Sequence, residues 1–212
     1  GFQPHQLHAI KRLNSGSILQ TLHDGCVNTA RWSAHDNGRF LVTGSDDLSV
    51  ILWDCQDYMN EVTVSSEIRT GHMRNIFCAE LCHHDPNKVV SCAADGTVRM
   101  NDVSSSGGNH NEEILSMNFS ITHMFKFDAE QPKVLYVCEE RGHVVRIDTR
   151  EGNSNQTIYK SRGGAHCVKA VAQSAVYGSH NLFVGGQGFV IRELDLRKIG
   201  TERSSNASSG ED

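Results

Sequence analysis

Short apolar runs recur along the chain and are separated by turn-forming residues. The runs at 27–32, 40–43 and 50–53 are rich in β-branched and aromatic residues and are bounded by Gly, Asp and Asn. No segment sustains apolar residues at the i, i+3, i+4 and i+7 spacing of an amphipathic helix. The pattern therefore predicts an all-β chain of many short strands.

The strand-rich segments recur with a nearly constant period. Four of them close on an aspartate, and these aspartates stand 48, 46 and 47 residues apart at Asp54, Asp102, Asp148 and Asp195. A four-stranded blade of a β-propeller takes roughly 40–45 residues. The period predicts a β-propeller with four recognisable blades at about residues 22–70, 71–109, 120–160 and 163–198.

Blades one and two carry motifs near their starts and ends. Blade one reads Leu22-His23-Asp24-Gly25 and later Trp53-Asp54, and blade two reads Gly71-His72 and later Asp102. These motifs resemble the Gly-His and Trp-Asp ends of WD repeats. The resemblance implies a structural hydrogen bond at the corner of each blade, which satisfies buried polar groups there.

The implied corner pairs are His23 with Asp47 and His72 with Asp95, at sequence separations of 24 and 23. Trp53 and a strand hydroxyl would complete the corner of blade one. In the other blades the motif positions hold different residues, namely Asn101, Ile147 and Leu194 for Trp, and Arg141 and Gly188 for Asp.

Further phrases carry a more specific resemblance. They are Gly25-Cys26-Val27-Asn28, Thr43-Gly44-Ser45-Asp46-Asp47-Leu48, Ile147-Asp148-Thr149-Arg150 and Leu194-Asp195-Leu196-Arg197-Lys198. Together they resemble the DCAF family, the substrate receptors of cullin-4 ubiquitin ligases, over about residues 22–199. The resemblance implies a protein-interaction scaffold that binds a cullin-4 adaptor and a client protein, and a propeller of seven blades of which four are present.

The resemblance also implies a role for the two Asp-x-Arg motifs. Asp148 with Arg150 and Asp195 with Arg197 would contact the adaptor from one face of the propeller. A guanidinium at such a rim can bind carboxylates or carbonyls of a partner with two hydrogen bonds. The alternative is that each arginine only pairs with a local acid and is buried against its own blade.

Two broader alternatives stay open. The chain could be a generic WD scaffold of another assembly, such as a ribosome-biogenesis or chromatin complex. The four blades could also close into a ring of their own. The resemblance to WD propellers, which usually have seven blades, and the lack of an initial Met instead favour part of a larger propeller.

Composition narrows the partners and the compartment. The net charge is −5 with a pI near 6.2, and no basic stripe interleaved with aromatics occurs, which disfavours nucleic acid and an anionic membrane as partners. Seven cysteines at scattered spacings do not suggest a disulfide framework. We therefore expect a reducing compartment, the cytoplasm or the nucleus.

The sequence offers no catalytic or metal site. Cys78 and Cys82 share a strand face but lie about 13 Å apart at ~3.3 Å per residue, which is too far for one zinc ion. The glycines at 185–188 precede no helix, so they do not form a phosphate cradle. No Gly-x-Ser-x-Gly elbow occurs, and we expect neither enzymatic activity nor a cofactor.

Three segments complete the predicted organisation. Residues 1–21 form an N-terminal segment, and a strand that runs from 17 to 22 could close a propeller. Residues 22–199 form the blades, and the polar, serine-rich residues 200–212 are expected to be a disordered tail.

Overall fold

A computed structural model describes most of the repeat region of the chain. The described residues are 22–34, 36–56, 62–103, 111–117, 120–151, 155–161, 167–174, 179–188 and 190–199. They form fifteen strands in four antiparallel sheets, three of four strands and one of three, which confirms the predicted all-β propeller blades. The possible closing strand, apart from Leu22, and the tail at 200–212 lie outside the described residues.

Each sheet is a meander in which consecutive strands pair. Blade one consists of β1 (Val27–Trp32), β2 (Phe40–Ser45), β3 (Ser49–Asp54) and β4 (Thr63–Arg69). Blade two consists of β5 (Ile76–Leu81), β6 (Lys88–Ala93), β7 (Thr97–Asp102) and β8 (Asn111–Ser116). Blade three consists of β9 (Thr122–Phe127), β10 (Val134–Glu139), β11 (His143–Asp148) and β12 (Gln156–Lys160). Blade four has β13 (Val168–Gln173), β14 (Asn181–Gly186) and β15 (Ile191–Asp195).

Blade two extends further than the sequence pattern indicated. Its outer strand β8 runs from Asn111 to Ser116, beyond the expected end at residue 109. Leu115 is the one fully buried residue of this strand, which starts Asn111-Glu112-Glu113. An outer strand faces solvent and needs little apolar surface, so its polar start gives no strand signal in the sequence.

Most of the apolar core lies between consecutive blades, and one smaller cluster of Ile51, Trp53 and Cys55 lies within blade one. One cluster joins blades one and two around Val50, Ile76 and Leu81, and another joins blades two and three around Phe125 and Phe127. A third joins blades three and four around Tyr136 and Leu182. Strands covered on both sides need apolar residues at successive positions, which explains the fully buried strand Val134–Glu139.

The first strands of the blades, β1, β5, β9 and β13, contact one another in order. Each first strand contains a β-bulge at its second residue, where the register with the next strand shifts. The bulged residues are Asn28, Phe77, His123 and Lys169. A bulge leaves its residue out of the ladder and redirects the side chain, so the four blades present these residues at equivalent positions.

The strands run between two opposite faces of the array. One face, called the corner face, carries the starts of the first and third strands and the turns between second and third strands, as the pairing of Val27 with Ser45 indicates. The opposite face, called the Asp-x-Arg face, carries the ends of the third strands, where Val134 pairs with Asp148. A strand of six residues separates the two faces by about 17 Å.

Candidate interaction surfaces

The corner of blade one joins four side chains. His23 Nδ1 lies 2.9 Å from Asp47 Oδ2, and His23 Nε2 lies 2.9 Å from Thr43 Oγ1. The indole N–H of Trp53 donates to the same Thr43 oxygen at 2.9 Å. The structure thus brings together His23, Asp47 and Trp53, and Thr43 supplies the strand hydroxyl.

Asp47 is the charged centre of this corner. Burial raises the pKa of its carboxyl, but hydrogen bonds from the hydroxyl and amide of Ser49, the amide of Asp24 and the His23 ring outweigh burial. The pKa of Asp47 therefore lies well below its usual value. The ionised carboxylate ties the loop before β1 to the turn before β3.

Blade two repeats the arrangement with Ser91 in place of Thr43 and Asn101 in place of Trp53. His72 Nδ1 lies 3.0 Å from Asp95 Oδ2, and its Nε2 lies 3.0 Å from Ser91 Oγ. At the tryptophan position, Asn101 donates instead to the carbonyl of Thr70 at 3.4 Å. The network of this corner therefore ends at the serine.

Blade three has a different corner, which the sequence reasoning missed. Glu139 is completely buried at the end of β10 and accepts hydrogen bonds from the amides of Arg141 and His143, at 3.0 and 2.9 Å, and from the hydroxyl of Ser120. The His143 ring also lies 3.0 Å from its carboxylate. Arg141 occupies the aspartate position in the sequence, but the anion of this corner comes from two residues earlier. A glutamate that ends an otherwise apolar strand was the available signal.

The two Asp-x-Arg motifs form matching forks. Arg150 Nε donates to Asp148 Oδ1 at 2.8 Å, and its Nη2 donates to the other carboxylate oxygen. Arg197 donates to both oxygens of Asp195 at 2.9 Å. The arginine side chains are 55% and 65% exposed, while those of the aspartates are 4% and 20% exposed. Each arginine therefore pairs with a local acid, but it is exposed, so the expectation that it is buried against its own blade is wrong.

Each arginine fork favours the ionised form of its aspartate. The hydrogen bonds from Arg150 lower the pKa of Asp148 to about 2, and those from Arg197 lower the pKa of Asp195 to about 2. Both aspartates end third strands of consecutive blades, so both arginines lie on the Asp-x-Arg face. Blade one has a related fork, in which Arg39, directly before β2, donates from Nε to Asp54 Oδ1 at 2.9 Å.

Five of the seven cysteines are buried side chains, whereas Cys26 is exposed and Cys167 is half-buried. Cys78 faces Cys92 across β5 and β6, and burial raises the pKa of the Cys138 thiol well above its usual value. Cys82 lies beside His84, with Sγ 3.1 Å from Nδ1. Within the described residues, no three His, Cys, Asp or Glu side chains are arranged to hold a metal ion. Nor does the described part contain a helix of the length and apolarity that a bilayer crossing requires.

Comparison with known proteins agrees with this architecture. The WD40 family (WD domain, G-beta repeat) matches residues 16–54 and 65–102. The β-propeller domain of Myceliophteria thermophila Cps50 (Swd1) superposes on this chain with a TM-score of 0.62 at 19% sequence identity. The superposed region comprises 79% of this chain and 51% of that domain. This likeness concerns the fold alone.

Curated relatives are similar over most of the chain. Human DDB1- and CUL4-associated factor 6 is 29% identical over 93% of this chain, and human WD and tetratricopeptide repeats protein 1 is 27% identical over 94%. The fission-yeast WD repeat protein iqw1 is 33% identical over 64%. This chain spans only 23%, 29% and 16% of their respective lengths. The chain is therefore a WD-repeat protein that resembles DDB1- and CUL4-associated factor 6.

Proposed function

We propose that this chain is part of a substrate receptor of a cullin-4 ubiquitin ligase, and that its Asp-x-Arg face binds the adaptor DDB1. The observation that carries the proposal is the pair of exposed arginine forks on one face, at Arg150 and Arg197. The printed name of factor 6 associates that protein with DDB1 and CUL4, and the resemblance extends over nearly the whole chain.

The fork geometry suits a protein partner. In each motif the arginine donates one hydrogen bond from Nε and one from Nη2 to the aspartate. Its other N–H groups remain available to donate to a carbonyl or carboxylate of a partner. The aspartate restricts the rotamers of the arginine before binding, which reduces the entropy that is lost on association. Two such groups one blade apart can engage a single partner together.

The proposed receptor does no chemistry of its own. It would hold a client near the ubiquitin-charged enzyme and raise the effective concentration of the reacting groups. Such a role needs no cofactor or metal, and it places the protein in the cytoplasm or the nucleus.

The test is DDB1 binding by the full-length protein with Arg150→Ala and Arg197→Ala combined. Truncation of arginines at the centre of an interface commonly costs 2 kcal/mol or more, so we expect the Kd to rise by at least about thirtyfold. Circular dichroism should show an unchanged fold, because both guanidinium groups are more than half exposed.

Arg39→Ala is the matched control. Arg39 also forks an aspartate on the Asp-x-Arg face, but it lies before β2 and outside the Asp-x-Arg motif. We expect this variant to bind DDB1 normally. Normal DDB1 binding by the folded double variant would remove the proposed adaptor contact and favour a generic WD scaffold.

A further inference from the structure

The corner face has a set of side chains that the proposed adaptor contact does not use. The β-bulges place Asn28, Phe77, His123 and Lys169 at the same position of four consecutive first strands. Because β5 contacts β9 and β9 contacts β13, the last three residues follow one another around the inner rim of this face.

Phe77 and His123 form a stacked pair. Their ring centroids lie 5.8 Å apart with an interplanar angle of 27°. Burial, and then the positive charge of Lys169, lower the pKa of His123, which favours the neutral form of its ring. A neutral imidazole stacked on phenylalanine gives a flat surface for an aromatic or aliphatic side chain.

The His123 ring also has an unused hydrogen-bonding atom. Its Nε2 is buried, and it has no hydrogen-bond partner among the described residues. Buried polar atoms of native proteins are nearly always paired. Because this nitrogen has almost no accessible surface, a ligand group would satisfy it only after a rotation of the His123 ring.

Lys169 supplies a positive charge next to this pair. It is exposed, and no described carboxylate lies within ion-pair distance of its ammonium group. It lines an open cavity of about 840 Å³ together with Glu140, Cys167, Ala170 and the stretch 185–187. A cavity of this size accommodates a few residues of a peptide.

The exposed charges around this cavity are mainly positive, whereas the chain as a whole is negative. In the described corner-face loops, turns and bulges of blades two to four, Arg74, Arg141 and Lys169 are opposed by one exposed acid, Glu140. The chain as a whole carries a net charge of −5. Such a local positive excess favours an acidic partner.

We propose that the corner face binds an acidic peptide segment of a partner protein, with one apolar side chain on the Phe77–His123 stack and a carboxylate on Lys169. The proposal goes beyond adaptor binding, because it concerns the opposite face of the array, about 17 Å away. It describes the class of client that the receptor would hold, and it stands or falls independently of the adaptor.

The experiment uses two libraries of fluorescent octapeptides with a central Phe or Leu. One has flanking positions of Asp and Glu, and the other has Asn and Gln at the same positions. Fluorescence anisotropy on the full-length protein should show binding of the acidic library that weakens with salt, and much weaker binding of the amide library.

Two variants locate the site. Lys169→Glu should weaken the acidic library at least about tenfold, and Phe77→Leu should weaken it severalfold while the apolar volume is kept. The control is Lys133→Glu, the same charge change at an exposed lysine directly before β10 on the opposite, Asp-x-Arg face, which should change the affinity less than about twofold. Adaptor binding should be unaffected by Lys169→Glu and Phe77→Leu.

Several outcomes would overturn the proposal. They are equal binding of the two libraries, unchanged acidic-library binding by Lys169→Glu, no binding of either library at millimolar protein, or tighter binding of single-stranded polyuridine than of the acidic peptides. Failure of these tests with intact DDB1 binding would leave the proposed function standing.

Discussion

At the scale of single residues, the corners of blades one to three are each organised by one buried or half-buried carboxylate. Asp47, Asp95 and Glu139 collect hydrogen bonds from the loop before the first strand or from the turn before the third strand. A buried carboxylate is costly unless its oxygens are satisfied, so each anion demands a defined loop conformation. The corner face is therefore held in shape by a few polar residues.

Removal of one corner anion should destabilise the protein. Asp47→Ala leaves the His23 ring and the amides of Asp24 and Ser49 without their acceptor. We expect a loss of about 1–3 kcal/mol in the free energy of unfolding, measured by urea denaturation. Asp24→Ala is the control, because Asp24 donates to Asp47 through its main-chain amide, which alanine keeps. Equal midpoints for the two variants would contradict this account.

The Asp-x-Arg forks should also affect stability as a function of pH. The folded-state pKa of Asp148 is about 2, below the ~3.9 of an unfolded aspartate. A lowered pKa stabilises the fold above the unfolded value, and this contribution is lost as the pH falls towards 2. We expect the wild-type melting temperature to fall more steeply between pH 5 and 2.5 than that of Asp148→Asn. Parallel curves would show that the fork does not contribute to this dependence.

At the scale of elements, the turns between second and third strands share a backbone requirement. Leu48, Gly96 and Gly142 each follow the residue at the aspartate position and have φ values of 69°, 80° and 85°. Glycine adopts positive φ without steric cost, whereas a residue with a side chain does not. The turns of blades two and three therefore use glycine, and blade one carries a leucine in the strained region.

This difference makes a paired prediction possible. Gly96→Ala should destabilise the protein by about 1 kcal/mol, because alanine is strained at a φ of 80°. Leu48→Gly relieves the same strain and should cost much less than Gly96→Ala. Thermal unfolding of both variants checks this. An equal loss for the two would mean that side-chain packing, and not backbone strain, dominates these turns.

The sequence predicted elements best where local pattern and burial agree. Period and turn residues located the blades, because the strands of a propeller are short and bounded by regular turns. The pairs of His23 with Asp47 and of His72 with Asp95 followed from the resemblance to WD repeats, and their separations of 24 and 23 residues agree with it. Strand β8 and the role of Glu139 were not predicted. A solvent-facing strand has no apolar signature, and the carboxylate of a blade corner can come from a different sequence position, as Glu139 does in blade three.

At the scale of the whole molecule, the array has two chemically different faces. Arg150 and Arg197 lie on one face, and Phe77, His123 and Lys169 lie on the other. The strands between them are rigid spacers of about 17 Å. Neither face could be fully predicted from sequence, because a β-bulge and the stacking of two rings depend on register, which a one-dimensional pattern does not contain.

Each of three apolar clusters is shared by one pair of consecutive blades. These clusters determine how far the destabilisation of one blade affects the others. Where apolar contacts run between neighbouring units, stability is approximately a sum of unit terms and nearest-neighbour coupling terms. A weakened blade one loses its own term and its coupling to blade two, while the pairing of blades three and four persists. A substitution in blade one can therefore leave the arginine forks of blades three and four assembled.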